Sequence, residues 1–319
     1  MTTAISFDRV IKAYGGLRAV DGVSFTVDAG EMFGLIGPDG AGKTTTIRMA
    51  CGLLRPDQGQ IRVLGRDPIA QHRSITADVG YLSQRFSLYG DLSIDENIAF
   101  FAEIHGVRGY QPARDRLLEM TQLSPFRSRR ADRLSGGMKQ KLALACTLVH
   151  EPKILLLDEP TTGVDPVSRR EFWKLLSEFL SNGLTIVMST PYLDEAERCG
   201  RVALLHDGRL LAIDRPAFLQ SRLAGQLLEV SVSAGRPPID MLASLPDVAD
   251  VQTFGDRAHL RIVGGEARSS AAVIQQSLER AGIQGVTVRP IAASLEDVFI
   301  DLISSTTRPE AASDLTRDS

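Results

Sequence analysis

A strand-forming run, Met32–Ile36, leads straight into Gly37-Pro-Asp-Gly-Ala-Gly-Lys-Thr-Thr45, and a helical stretch begins at Thr44. This order leaves the chain little choice. The glycines permit a backbone wrapped so that successive N–H groups point inward. The helix that follows adds the positive end of its dipole. Such a loop cradles a phosphate chain. Lys43 adds a point charge for the outer phosphates, and Thr44 offers a hydroxyl to a divalent cation. Gly37, Pro38, Asp39, Gly40, Ala41, Gly42, Lys43, Thr44 and Thr45 are therefore candidate nucleotide-binding residues. A glycine-rich turn without the flanking strand and helix would not support that reading.

A second element fits the first. Ile154-Leu-Leu-Leu-Asp-Glu-Pro160 is an apolar run that suits a buried parallel strand. It ends in Asp158, a carboxylate that can hold Mg²⁺ through water. Glu159 follows, where a carboxylate can orient and polarise an attacking water. Taken alone, the pair could simply cap a strand end. Beside the glycine loop, it completes a nucleotide site. Strands are also predicted at Ile5–Val10, Val23–Val27, Gln60–Val63 and Thr185–Ser189, and helices at Thr44–Leu54, through much of Ser93–Leu123, after Gly137, and at Arg169–Leu180. This alternation implies an α/β core.

Composition excludes several classes. The 319 residues carry a net charge of -3, so no bulk basic field points to nucleic acid. No apolar run reaches the roughly 18 residues needed to cross a bilayer. The expectation is a cytoplasmic protein that meets a membrane only through partners. Cys51, Cys146 and Cys199 form no CxxC pattern, and the five histidines show no ligand spacing. The cysteines read as small buried hydrophobes.

The most specific stretch is Leu134-Ser-Gly-Gly-Met-Lys-Gln-Lys141. It resembles the signature of the ABC superfamily, in which LSGG-x-Q opens a helix aimed at a nucleotide bound on the other subunit. A serine and two glycines at a helix start also make an anion site on physical grounds. The resemblance extends from Met1 to about Leu219. It implies ATP and Mg²⁺ as ligands, a P-loop ABC ATPase core with an antiparallel β flank and a helical subdomain, and two chains closed head to tail around two ATP. Ser135, Gly136 and Gly137 would then act in trans. Tyr14 matches the aromatic that stacks on adenine. Gln84 matches the glutamine that contacts Mg²⁺ and links to the transmembrane partner. Gly163-Val-Asp165 with Pro166 matches the loop that touches the opposite subunit. Phe86, Leu88, Tyr89 and Leu92 either line a groove for a coupling helix of a membrane permease or belong to the helical subdomain's core. The implied catalytic set is Glu159, Lys43 and Gln84, and the metal set is Thr44, Gln84 and Asp158.

Composition shifts near Arg222. Strands at Leu227–Val232, Val248–Phe254, His259–Val263 and Val286–Pro290, with helices at Ile239–Leu245 and Ser269–Ala281, predict a small α+β domain of ferredoxin-like type. The expected division is an ATP-binding domain over 1–220 with its helical insertion at about 93–150, an accessory domain over 224–303, and a disordered tail over 304–319. The segment Ser294–Leu302 resembles the end of drug-exporter ATPases. Gly37–Gly40 and Leu134–Lys141 resemble one half of paired bacterial multidrug exporter ATPases, which implies hydrophobic drugs or lipids as cargo and efflux as the direction.

One position departs from the family pattern. In Met188-Ser-Thr-Pro-Tyr-Leu-Asp-Glu-Ala196, Pro191 occupies the place of the histidine that contacts the γ-phosphate. Proline has neither a side-chain donor nor a backbone N–H. Ser189, Thr190 and Tyr192 are the neighbours able to compensate. A homodimer would carry this defect in both sites. A heterodimer with a second ABC ATPase would carry it in one, and is the preferred expectation. Two rival readings are a non-catalytic ATP-binding partner, which Glu159 argues against, and a soluble ABC protein acting on ribosomes or DNA. The latter type carries a second ATPase half or long coiled coils, and neither is present here.

Overall fold

Two long runs with alternating buried residues, β1 (Thr3–Tyr14) and β2 (Leu17–Asp28), form an antiparallel hairpin whose inward face includes Ile5, Phe7, Val10, Val23, Phe25 and Val27. The structure is a computed structural model and describes residues 2–84, 88–223, 225–264 and 266–307. There follow β3 (Met32–Ile36), α1 (Lys43–Ala50), β4 (Gln58–Val63), α2 (His72–Asp78), β5 (Val79–Leu82), α3 (Ile94–Ile104), α4 (Gln111–Met120), α5 (Gly136–Leu148), β6 (Ile154–Asp158), α6 (Pro166–Ser181), β7 (Thr185–Thr190), α7 (Leu193–Ala196), β8 (Arg201–His206) and β9 (Arg209–Asp214). Next come α8 (Pro216–Ser221), β10 (Gln226–Ser231), α9 (Ile239–Ala243), β11 (Val248–Phe254), β12 (Arg257–Ile262), α10 (Ala267–Arg280), β13 (Thr287–Ile291) and α11 (Leu295–Thr307).

The chain divides into two compact units at Pro216–Ala217. In the first, β1 lies between β2 and β4 in a three-stranded antiparallel sheet. A six-stranded sheet runs β5-β6-β7-β3-β8-β9, parallel except for the β8–β9 hairpin. Strands β3, β6 and β7 are buried along their whole length, as parallel strands covered on both faces must be. Phe25 stacks between Phe7 and Phe33, with ring centroids 4.6 and 5.4 Å apart, and so fills the space between the two sheets. This packing fixes β3, and β3 launches the phosphate loop.

The stretch predicted as helical from Ser93 to Leu123 is broken into α3 and α4 at Gly106–Tyr110. Ser93 starts α3 with a full capping box: its hydroxyl accepts from the Glu96 N–H, and the Glu96 carboxylate accepts from the Ser93 N–H. The predicted helix at Arg169 begins earlier, at Pro166, because Asp165 caps it through the Val167 and Ser168 N–H groups, both at 3.0 Å. All three cysteines are buried and free, and burial raises the Cys199 thiol to about 12.

His105, the C-cap of α3, stacks face to face on His150, just past α5, with centroids 3.8 Å apart and planes within 2°. The ring nitrogens of His150 are buried. Burial first, and then His105, lowers its pKa from 6.5 to about 4. The folded state therefore resists a proton that the unfolded state accepts, and the stability it contributes is full above pH 6.5 and falls as pH drops toward 4. We expect wild type to lose about 2 kcal/mol more than His150→Phe between neutral pH and a pH near 4, as measured by urea midpoints. Equal losses would contradict this reading.

In the second unit the sheet order is β11-β12-β10-β13, antiparallel throughout. With α9 between β10 and β11, and α10 between β12 and β13, this is the β-α-β-β-α-β arrangement. Leu228, Val230, Leu260, Ile262, Ile274 and Leu278 form its core. His259 Nδ1 lies 2.7 Å from the buried Asp297 Oδ1, and the other carboxylate oxygen of Asp297 caps α11 through the Ser294 N–H and hydroxyl. The tail expected from Ser304 needs correction: residues Ser304–Thr307 continue α11, whose apolar Val298, Phe299 and Leu302 carry the helical pattern forward. Residues 308–319 lie outside the described ones.

Candidate active site

Four adjacent strands deliver the site residues to one edge of the parallel sheet. Gln84 follows β5, Asp158 and Glu159 end and follow β6, Ser189 and Thr190 end β7, and the loop Gly37–Gly42 follows β3. The pairs Asp158↔Ser189 and Ile36↔Thr190 set these ends level. Open α/β sheets place their ligands at the carboxyl ends of the strands in this way.

The loop is shaped for close approach. Gly42 has φ 99 and caps α1, and a Cβ there would sit 2.3 Å from the Ala19 carbonyl oxygen. A Cβ at Gly37 would meet the Leu205 carbonyl oxygen at 2.2 Å. Lys43 is buried, and its ammonium lies 2.8 Å from the Gly37 carbonyl, 3.0 Å from that of Pro38 and 3.2 Å from Glu159. The Glu159 carboxylate also accepts from Gln84 Nε2 at 3.0 Å and lies 3.5 Å from the Thr162 hydroxyl. Its backbone is left-handed, with φ 47, a conformation that a non-glycine residue adopts at a cost. Thr44 Oγ1 donates to Asp158 Oδ1 at 2.9 Å.

Beside them opens a cleft of about 510 Å³, whose walls are Leu17, Ala19, Asp39–Thr45, Gln84, Glu159, Thr162, Pro191 and Tyr192. The residues fit a nucleoside triphosphate: the cradle admits no Cβ at two of its glycines, and its one buried cation is already aimed at its centre. They also fit a hard divalent ion. The Thr44 hydroxyl, the Asp158 carboxylate and the Gln84 amide form an oxygen donor set of the kind that leaves an ion several of its waters.

The structure brings Lys43, Thr44, Gln84, Asp158 and Glu159 together. Tyr14 stands at the end of β1, before the turn to Leu17. It is 50% exposed, with the Lys12 ammonium 5.7 Å from its ring centroid, and Leu17 and Ala19 form part of the cleft wall. Ser135 and Gly136 are exposed at the start of α5, away from the cleft lining, and the Ser135 hydroxyl caps the helix through the Met138 N–H. Gly137 packs against Ser168. Gln140 donates to the Pro160 carbonyl and so ties α5 to the loop that carries Glu159. Tyr89 packs edge-on against Phe100, with centroids 4.5 Å apart. Phe86 lies outside the described residues.

One buried acid was not expected from sequence. Glu195, 1% exposed on α7, accepts from Thr161 at 2.9 Å and Thr190 at 2.7 Å, with Trp173 Nε1 at 3.5 Å and Arg169 Nε at 3.6 Å. It staples the segment around Pro191 to the loop after β6. The run Leu193–Ala196 shows an acid but not its burial, because its donors come from three separate segments.

Comparisons with known proteins agree with this geometry. The family model described as ABC transporter matches residues 20–162. The Escherichia coli protein named "Probable multidrug ABC transporter ATP-binding protein YbhF" is 42% identical over 94% of this chain, and the chain spans 52% of that protein, about half its length. The Nod factor export ATP-binding protein I of Paraburkholderia xenovorans is 38% identical over 94% of this chain and 96% of that protein. Among solved structures, an ATP binding subunit of an ABC transporter superposes with TM-score 0.63 at 30% identity, covering 69% of this chain and 93% of that one. CbiO1 of Clostridium perfringens, part of the ABC transporter complex cbiONQ, superposes with TM-score 0.65 at 26% identity, covering 70% and 92%. The chain belongs to the ABC transporter family, among its ATP-binding proteins.

Proposed function

We propose that the chain is the ATP-hydrolysing subunit of an ABC exporter, docked on membrane permease subunits, with a hydrophobic drug or lipid-like molecule as cargo. The observation that carries this is the convergence of Lys43, Gln84 and Thr162 on the Glu159 carboxylate beside the phosphate loop. Lys43 and the backbone N–H groups from Gly40 to Thr45 hold phosphate oxygens. Thr44, Asp158 and Gln84 hold Mg²⁺, which when bound neutralises charge on those oxygens. A Glu159 carboxylate oxygen orients the attacking water and takes its proton. Ser135, Gly136 and Gly137 complete the site of a second chain, and Asp165 lies at the contact. The cycle of closing on two nucleotides and reopening drives the permease between states. Among the described residues no helix is long and apolar enough to cross a membrane, so the permease supplies the path.

The second chain is proposed to be a different ABC ATPase. Pro191 lines the cleft, where it offers no donor. In a heterodimer this chain's own site turns over slowly, while its Ser135–Gly137 serves a competent partner. Isolating the native complex from membranes tests both points. Permease subunits and two kinds of ATPase chain are expected. A single kind of ATPase would overturn the heterodimer, and the absence of any permease would overturn the transport reading.

A further inference from the structure

Pro191 leaves the catalytic edge without a donor, and three neighbours could take over. Thr190 cannot, because its hydroxyl is committed to Glu195 at 2.7 Å and it is buried. Tyr192 lines the cleft, with its backbone N–H on Thr190 Oγ1 at 3.1 Å and its ring beneath Arg169 at 4.9 Å. Ser189 differs from both. It is fully buried at the end of β7, directly opposite Asp158. Its hydroxyl donates to Asp158 Oδ1 at 2.8 Å and accepts the Glu159 N–H at 3.0 Å, while its own carbonyl faces the same N–H at 3.2 Å.

We propose that Ser189 is a positioning residue that sets both acidic groups of the site at once, the metal-holding Asp158 and the water-orienting Glu159. The hydrogen bonds form one directed chain, from Glu159 N–H to Ser189 Oγ, from Ser189 O–H to Asp158 Oδ1, with Thr44 O–H arriving at the same oxygen. Asp158 Oδ1 thus accepts two hydroxyl protons, one from Ser189 on β7 and one from Thr44 in the first turn of α1, which fixes its rotamer and leaves the Thr44 lone pairs free for an ion. The N–H bond holds Glu159 in its left-handed backbone, so that its side chain turns into the cleft rather than along the strand direction. Linked hydrogen bonds of this kind in a dry interior polarise and stiffen one another. Ser189 is fully buried, with its hydroxyl committed to Asp158 and to the Glu159 N–H, so it acts through the two acids.

The inference rests on the reading of the cleft as an ATP and Mg²⁺ site, and the test separates the two. ATP binding by the full chain, in its native complex, is titrated with Mg²⁺ for wild type, Ser189→Ala and Ser189→Thr, and turnover at this chain's own site is measured beside it with the partner ATPase's own site inactivated and Glu159→Gln as the blank. For Ser189→Ala we expect metal-free ATP binding within about twofold of wild type, a Mg²⁺ half-saturation raised roughly tenfold, and kcat lowered about ten- to a hundredfold with KM nearly constant. Ser189→Thr keeps the hydroxyl and recovers most of both losses. A Ser189→Ala chain with wild-type Mg²⁺ dependence overturns the proposal. So does a Ser189→Thr chain as impaired as Ser189→Ala, because packing would then be the cause. A wild type that turns over no faster than the blank refutes the hydrolytic reading instead, and the Mg²⁺ titration still decides the role of Ser189.

Discussion

At this chain's own site, Glu159→Gln lowers ATP turnover by roughly 10²–10⁴ and leaves ATP bound. The substitution keeps the size and most of the hydrogen bonding of the side chain, but an amide takes no proton from water. Its oxygen can still accept from Gln84 Nε2, which now lies 3.0 Å from the carboxylate, and the backbone bonds to Ser189 do not involve the side chain. The one interaction lost outright is the ion pair with Lys43, 3.2 Å long between two side chains that are 3% and 9% exposed. That loss frees the ammonium for phosphate oxygens, so affinity for ATP holds or rises. Steady-state phosphate release together with equilibrium ATP binding checks both halves. Turnover persisting within about tenfold of wild type would mean that another group handles the proton.

Gly42→Ala removes ATP binding by about a hundredfold or more. Two costs combine at this residue. A left-handed φ of 99 is strained for any residue with a Cβ, by about 1–3 kcal/mol. The added carbon would also lie 2.3 Å from the Ala19 carbonyl oxygen, a backbone atom that cannot swing away. The loop must therefore shift at the point where α1 begins and Lys43 departs, and the inward N–H groups lose their common focus. Thermal unfolding should change far less than affinity, because the apolar core under the loop, Leu35, Ile47 and Leu156, is untouched. Calorimetric titration with ATP and a melting curve on the same sample measure the two effects. Unchanged affinity would show that the loop has another conformation able to hold phosphate.

The phosphate loop and the acidic strand end could be read directly because each is local. A glycine pattern between a strand and a helix, or a run such as Ile154–Asp158 closed by Glu159, states its geometry within a few residues. Strand β5 is illegible because four residues are too few for a pattern, and the β8–β9 hairpin because no residue of its second strand is fully buried. Ser189 was legible only as one polar neighbour of Pro191. Its importance appears once the β6–β7 register sets it opposite Asp158, which is a fact about pairing over some thirty residues. Glu195 is similar, since its burial depends on Thr161, Trp173 and Thr190 converging. Tyr14 is matched by position alone, and a single half-exposed aromatic does not state by itself what its ring will meet.

The central claim is that the site is shared between two chains, with Ser135–Gly137 of one chain facing the cleft of the other. The most direct measurement is ATP turnover per chain as the purified ATPase, with its partner ATPase where one is found, is diluted and its mass followed by light scattering. The account predicts that turnover per chain collapses as the assembly separates into single chains. Turnover per chain that stays constant in a preparation shown to be monomeric would contradict it, because the cleft would then be complete without a second chain.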